Sequence, residues 1–109
     1  PLQKRLRRNL NILSKSKARG IIFLSGDRHI AEISSKEIVG LDFPLIDMTS
    51  SGMTHSYDSF KGESNPYRIT EVVPYKNFGI LKFDFEKNKV TMEIRGEKNV
   101  LYQAIEQKY

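Results

Sequence analysis

Two residues of types that bind metal ions lie close together near the start of the chain. Asp27 and His29 follow an apolar run at residues 21–24, from which a small-residue turn separates them. The run predicts a buried strand, and an open α/β sheet builds its sites at the carboxyl ends of such strands. Because alternate residues of an extended segment point the same way, Asp27 and His29 could bind one metal ion. The alternative is a turn in which Asp27 caps backbone amides and His29 is a surface residue.

A second small-residue turn, at residues 50–56, follows a strand predicted over residues 44–49 and holds the only other histidine, His55. If both strands belong to one sheet, the two turns can face one cleft, and His55 becomes a candidate catalytic residue. Arg68 could bind a substrate phosphate, because a guanidinium group pairs with two oxyanion oxygens. The alternatives are a polar loop around His55 and a solvent-exposed loop position for Arg68.

Apolar periodicity predicts the elements that would position these residues. One helical stripe is formed by Leu2, Leu6, Leu10 and Leu13. The stripe predicts an amphipathic helix over residues 2–17, and Gly20 is a plausible stop signal. This helix and the apolar strand make half of a βαβ unit, in which further layers cover both faces of the strand. Ser34 and Glu37 have the spacing of a helix capping box.

The C-terminal third predicts an antiparallel meander. Apolar and polar residues alternate over residues 79–86 and 90–95, as in strands that have one buried and one solvent-exposed face. Asn88 lies in the first turn and can adopt a positive φ, and residues 96–99 form the turn before a weaker third strand over residues 100–107. Four aromatic residues near or in this meander are expected in the core: Tyr75, Phe78, Phe83 and Phe85.

Length and composition indicate a single domain. The 109 residues are 39% hydrophobic, which suffices for one modest core. The lack of cysteine excludes disulfides and thiolate metal sites, and no apolar run approaches the roughly 18 residues of a membrane span. We expect a basic amphipathic helix at residues 1–19, strand ends with the candidate site at 20–55, a loop at 56–76 and the meander at 77–107.

The net charge of +5 is concentrated at one end of the chain. Residues 1–19 hold seven of the 18 basic residues and none of the 13 acidic ones. A basic helix of this kind could bind an anionic partner, so one hypothesis is a stand-alone, non-catalytic binding module. The alternative is a solvated helix face. The absence of interleaved aromatic residues and of a repeated basic stripe argues against nucleic acid as the partner.

The motifs, taken in order, resemble the last conserved part of the PhoD-like (alkaline phosphatase D) metallophosphatases. The resemblance rests on the segments Phe-Leu-Ser-Gly-Asp-Arg-His at 23–29, Ala-Glu-Ile at 31–33, Pro-Leu-Ile-Asp-Met-Thr-Ser-Ser-Gly-Met-Thr-His-Ser at 44–56, Asn-Pro-Tyr-Arg at 65–68 and Asn-Phe-Gly at 77–79. It spans the chain from residue 12 onward. It implies an α/β (α+β) fold, the C-terminal part of a two-sheet sandwich with an N-terminal helix.

The resemblance also implies roles for single residues. His29 matches the final histidine of the Gly-His-x-His motif of the wider calcineurin-like and purple acid phosphatase superfamily, where it binds metal. Asp27 replaces the first histidine of that motif, as the PhoD-like group favours, and is a second candidate ligand. His55 and Arg68 match family positions to which the resemblance assigns no definite role; contact with the substrate and contact with the metal ligands are the two alternatives.

The implied reaction needs more ligands than this sequence contains. In the family, divalent or trivalent metal ions (Fe, Ca, Zn or Mn are candidates) activate a hydroxide that attacks a phosphoester substrate. Their other ligands come from blocks that precede the Gly-Asp-x-His block, and none of these blocks is present here. We therefore expect the C-terminal portion of a hydrolase, completed by a missing N-terminal part of the same protein. Alone, it would be inactive, and an uncovered apolar sheet face could drive self-association.

Overall fold

A computed structural model describes residues 8, 9, 11, 12, 15, 20–26, 28–54 and 65–109. In this part of the chain, two three-stranded sheets account for most of the regular structure. The first contains β1 (Ile22–Ser25), β2 (Ala31–Lys36) and β3 (Leu45–Ser50), and the second contains β4 (Phe78–Asp84), β5 (Lys89–Arg95) and β6 (Leu101–Lys108). The fold is therefore rich in sheet, with little helix.

The first sheet is mixed, in the order β1-β3-β2. β1 runs parallel to β3, whereas β2 runs antiparallel to β3 along its whole length. The strands predicted at residues 21–24 and 44–49 are thus present, each displaced by one residue. Because β1 and β3 are parallel, their carboxyl ends lie at the same edge, as the candidate site requires.

β1 is partly exposed, so the prediction that layers cover both of its faces is wrong. Ile22 and Phe23 are half-buried, and Leu24 is 67% exposed. Within the described residues, β1 has a hydrogen-bonded neighbour only on its β3 side. A short apolar run does not reveal whether another layer covers each face of the strand along its whole length.

Two helical predictions have different outcomes. The described residues between positions 8 and 15 are helical, in agreement with the predicted N-terminal helix, and Ile12, which lies off the leucine stripe, is exposed. The stripe itself lies outside the described residues. The capping box at Ser34 and Glu37 is wrong, because Ser34 belongs to β2 and its hydroxyl accepts a hydrogen bond from Asn65. Within the described residues, no helix is long and apolar enough to cross a membrane.

The second sheet is the predicted antiparallel meander, in the order β4-β5-β6. Asn88 adopts φ 49° in the first turn, as expected. The second turn contains a short 3₁₀ helix, η1 (Glu97–Asn99), in which Lys98 and Asn99 also have positive φ.

The two sheets pack face to face around one core. Its buried residues are Ala31, Ile33, Ile46, Met48, Val73, Val90, Met92 and Ile94. Gly79 permits a close approach between the sheets, because a Cβ atom there would lie 2.7 Å from Met48 Cε. Tyr109 follows β6 and packs edge-on against Phe43, which adds a second contact between the sheets.

Three of the four aromatic residues expected in the core are exposed. Tyr75 is 57% exposed, Phe83 is 54% and Phe85 is 84%, whereas Phe78 is half-buried. Phe83 and Phe85 lie beyond the core and line an open apolar groove of about 430 Å³ together with Leu24 of β1. The alternating pattern identified the strand correctly, but it could not show which of its apolar side chains the first sheet covers.

A buried carboxylate joins β4 and β5 on the face opposite the core. Glu93 is 6% exposed and lies 3.2 Å from Arg95 Nε and 3.1 Å from Lys82 Nζ. Hydrogen bonds from Arg95, and then from Lys82, hold the pKa of the Glu93 carboxyl below its ordinary value. The unfolded chain therefore binds a proton at this position at higher pH than the folded chain does.

We expect Glu93 to contribute to acid unfolding. Its stabilising contribution is complete above the unfolded pKa of about 4.3 and disappears as the pH falls through the lower folded pKa. Urea unfolding between about pH 6 and pH 3 should show a smaller acid-induced loss of stability for Glu93→Gln than for the wild-type chain. The exposed Glu86→Gln variant is the control, and equal pH dependence of both variants would contradict the assignment.

Candidate functional site

The turns that follow β1 and β3 are joined directly by hydrogen bonds. Ser51 Oγ accepts the backbone N–H of His29 at 2.9 Å and that of Arg28 at 3.2 Å. The expectation that the two strand ends share one edge of the sheet is therefore confirmed for the described residues of both turns.

His29 is exposed and has an unusual backbone conformation. Its φ of 56° lies in the left-handed region, which costs about 1–2 kcal/mol for residues other than glycine. Such a conformation persists only where the surroundings stabilise it, and it occurs preferentially at functional sites. Here the hydrogen bonds to Ser51 supply that stabilisation.

A buried carboxylate binds two arginine side chains beside this turn. Glu32, whose side chain is 5% exposed, accepts Arg28 Nη1 at 2.9 Å through one oxygen and Arg68 Nε at 2.7 Å through the other. Glu32 lies on β2 next to Ala31 and Ile33, both of which face the core, so its own side chain is on the opposite face.

The structure contradicts one of the two sequence hypotheses for Arg68, the solvent-exposed loop position. It is not a solvated loop residue, since its side chain is 20% exposed and bound to Glu32. A single backbone bridge to Ser34 also fixes the loop that carries it beside β2. Its Nε donates to the Glu32 carboxylate. Because Glu32 also binds Arg28, the Arg68 guanidinium lies close to the turn that contains Arg28 and His29.

Asn77 forms a connection to the second sheet that sequence reasoning missed. It is 2% exposed, its Oδ1 accepts Ser50 Oγ–H at 2.8 Å, and its backbone N–H donates to Gly52 O at 3.0 Å. Asn77, Glu32 and Ser51 all belong to the segments on which the family resemblance rests. Nothing in the sequence indicated which residues they would bind.

Two candidate site residues, Asp27 and His55, lie outside the described residues. In the described ranges, no group of three or more histidine and carboxylate side chains could hold a metal ion. Of the two predicted ligands, only His29 is described. A resident metal ion would thus require donors beyond those that the structure places here.

Comparison of the chain with protein-family models, curated proteins and solved structures finds no match in any of the three.

We expect Glu32 to contribute more to stability than a surface carboxylate. Glu32→Gln removes the buried negative charge to which both guanidinium groups bind and should lower the free energy of unfolding by about 1–3 kcal/mol. Urea denaturation can measure this change. The matched control is Glu106→Gln, which removes an exposed pair with Lys89 and should cost at most about 1 kcal/mol. Equal effects of the two variants would contradict a structural role for Glu32.

Proposed function

We propose that the chain is the C-terminal portion of a metal-dependent phosphoester hydrolase, in which His29 binds a metal ion. The supporting observation is the joined pair of turns at the carboxyl ends of β1 and β3, with His29 exposed in a stabilised left-handed conformation. Open sheets build their sites at such ends. The fold that accompanies this proposal is the α/β metallophosphatase-type sandwich.

Each candidate residue has a role in this proposal. His29 donates a ring nitrogen to the metal ion, and Asp27 is a second ligand. Arg28 and Arg68, which Glu32 holds close together, contact the negatively charged substrate. His55 contacts the substrate.

The remaining metal ligands come, in this proposal, from other parts of the same protein. A bound metal ion would supply a hydroxide nucleophile and neutralise charge at phosphorus. His29 is a single donor, whereas metal ions of this kind take four or more ligands. The chain alone is therefore expected to bind metal weakly.

A metal titration tests the assignment of His29. Added Mn²⁺ should broaden the imidazole NMR signals of His29 at concentrations that leave Phe85 unaffected. His29→Ala should abolish the local broadening around Ser51, whereas Glu86→Gln, which removes an exposed carboxylate in the turn between β4 and β5, should leave it unchanged. Broadening near Ser51 that persists in His29→Ala would contradict the role of His29.

A second test concerns the completeness of the site. The 109-residue chain should hydrolyse bis(nitrophenyl) phosphate no faster than a metal-only blank when Zn²⁺, Mn²⁺, Fe³⁺ or Ca²⁺ is added, because one or two ligands cannot hold a metal ion firmly. Release of nitrophenolate is measured by absorbance. Turnover well above the blank that His29→Ala removes would show that the chain carries a complete site.

A further inference from the structure

We infer that Ser51 is a positioning residue: it fixes the backbone conformation of His29 and so orients the imidazole ring. The inference rests on the proposed function, because the direction of His29 matters only if its ring binds something. Ser51 lies on the turn after β3, and its hydrogen bonds reach three consecutive residues of the other turn: Arg28, His29 and Ile30.

The Ser51 hydroxyl uses its full hydrogen-bonding capacity on this turn. A serine hydroxyl has one donor and two acceptor sites. Both acceptor sites receive backbone N–H groups, from Arg28 and His29, and the O–H points to Ile30 O at 3.4 Å. The backbone N–H of Ser51 donates to the same carbonyl at 3.3 Å. One side chain thereby fixes two successive peptide groups, including the one that precedes the His29 Cα atom.

The residues on either side of Ser51 are themselves fixed. Ser50 Oγ donates to Asn77 Oδ1, and Gly52 O accepts the Asn77 backbone N–H. Asn77 Nδ2 donates to Tyr75 O at 2.7 Å, so this buried side chain is anchored in the segment before β4. Ser51 therefore cannot shift without disturbing the contact between the sheets, and Ile30, which is 1% exposed, anchors the other turn in the interior.

The left-handed φ of His29 is the quantity that this arrangement controls. Without the acceptor at Ser51, His29 would relax toward ordinary negative φ values, and its ring would point elsewhere. Outer hydrogen bonds that orient a ligand typically change metal affinity by about 10–100-fold. Ser51 would thus tune metal binding without touching the metal ion.

The test uses the full chain and four variants. Ser51→Ala removes the hydroxyl, Ser51→Cys keeps its shape but is a weak acceptor, and Ser51→Thr retains the hydroxyl. Ser35→Ala on β2 is the matched control. Two quantities are measured: the HN–Hα coupling and chemical shifts of His29 without metal, which report φ, and the Zn²⁺ dependence of its imidazole shifts.

In Ser51→Ala and Ser51→Cys, we expect His29 to lose the HN–Hα coupling and chemical shifts that are typical of a positive φ. We also expect Zn²⁺ binding at His29 to weaken by about tenfold or more. Ser51→Thr and Ser35→Ala should match the wild type in both measurements. If Ser51→Ala does not fold, Ser51→Cys decides. Unchanged His29 coupling and unchanged Zn²⁺ response in the folded Ala or Cys variant would overturn the inference.

The two proposals fail in different ways. If Ser51→Ala loses the HN–Hα coupling and chemical shifts typical of a positive φ at His29, and His29 shows no Zn²⁺ response even in the wild type, the control of φ by Ser51 is supported. The assignment of His29 as a metal ligand is then contradicted. A wild-type Zn²⁺ response that all Ser51 variants retain would support the metal ligand and overturn the role of Ser51.

Discussion

The packing of β5 against β2 and β3 is the interaction on which the rest of the described structure depends. Each sheet has three strands and one largely apolar face, and such a sheet must cover that face with another layer. Met92 and Ile94 of β5 are fully buried against the first sheet. This contact fixes the distance between the layers, and Asn77 can reach Ser50 and Gly52 only because that distance is fixed.

The sequence predicted local features well because their causes are local. Alternation over residues 79–95 is a property of consecutive residues, so β4, β5 and the positive φ at Asn88 followed directly. The shared edge of β1 and β3 also followed, because small polar residues after two apolar runs are a recognisable pattern. The strand ends were correct to within about one or two residues, as is usual for such boundaries.

The errors and omissions have a common physical origin in long-range pairing. The apolar run of β1 fits a central strand and an edge strand equally well, and Phe83 and Phe85 fit a covered and an uncovered sheet face equally well. Glu32 meets Arg68 across 36 positions of sequence, so no spacing rule could pair them. The αL conformation of His29 depends in the same way on Ser51, 22 positions away.

The parallel pairing of β1 with β3 has a consequence for the order in which the chain gains its structure. The strands of the meander are joined by short turns, whereas β1 meets β3 only after the intervening chain has formed β2 and returned. Closing a longer loop costs more entropy, and non-local pairing slows folding. Among the strand pairs of the described residues, the parallel pair of β1 and β3 therefore joins the residues that lie farthest apart in the sequence. The geometry around His29 thus depends on a pairing that no hairpin can supply, and each strand of the meander lies next to a strand that directly precedes or follows it in the chain.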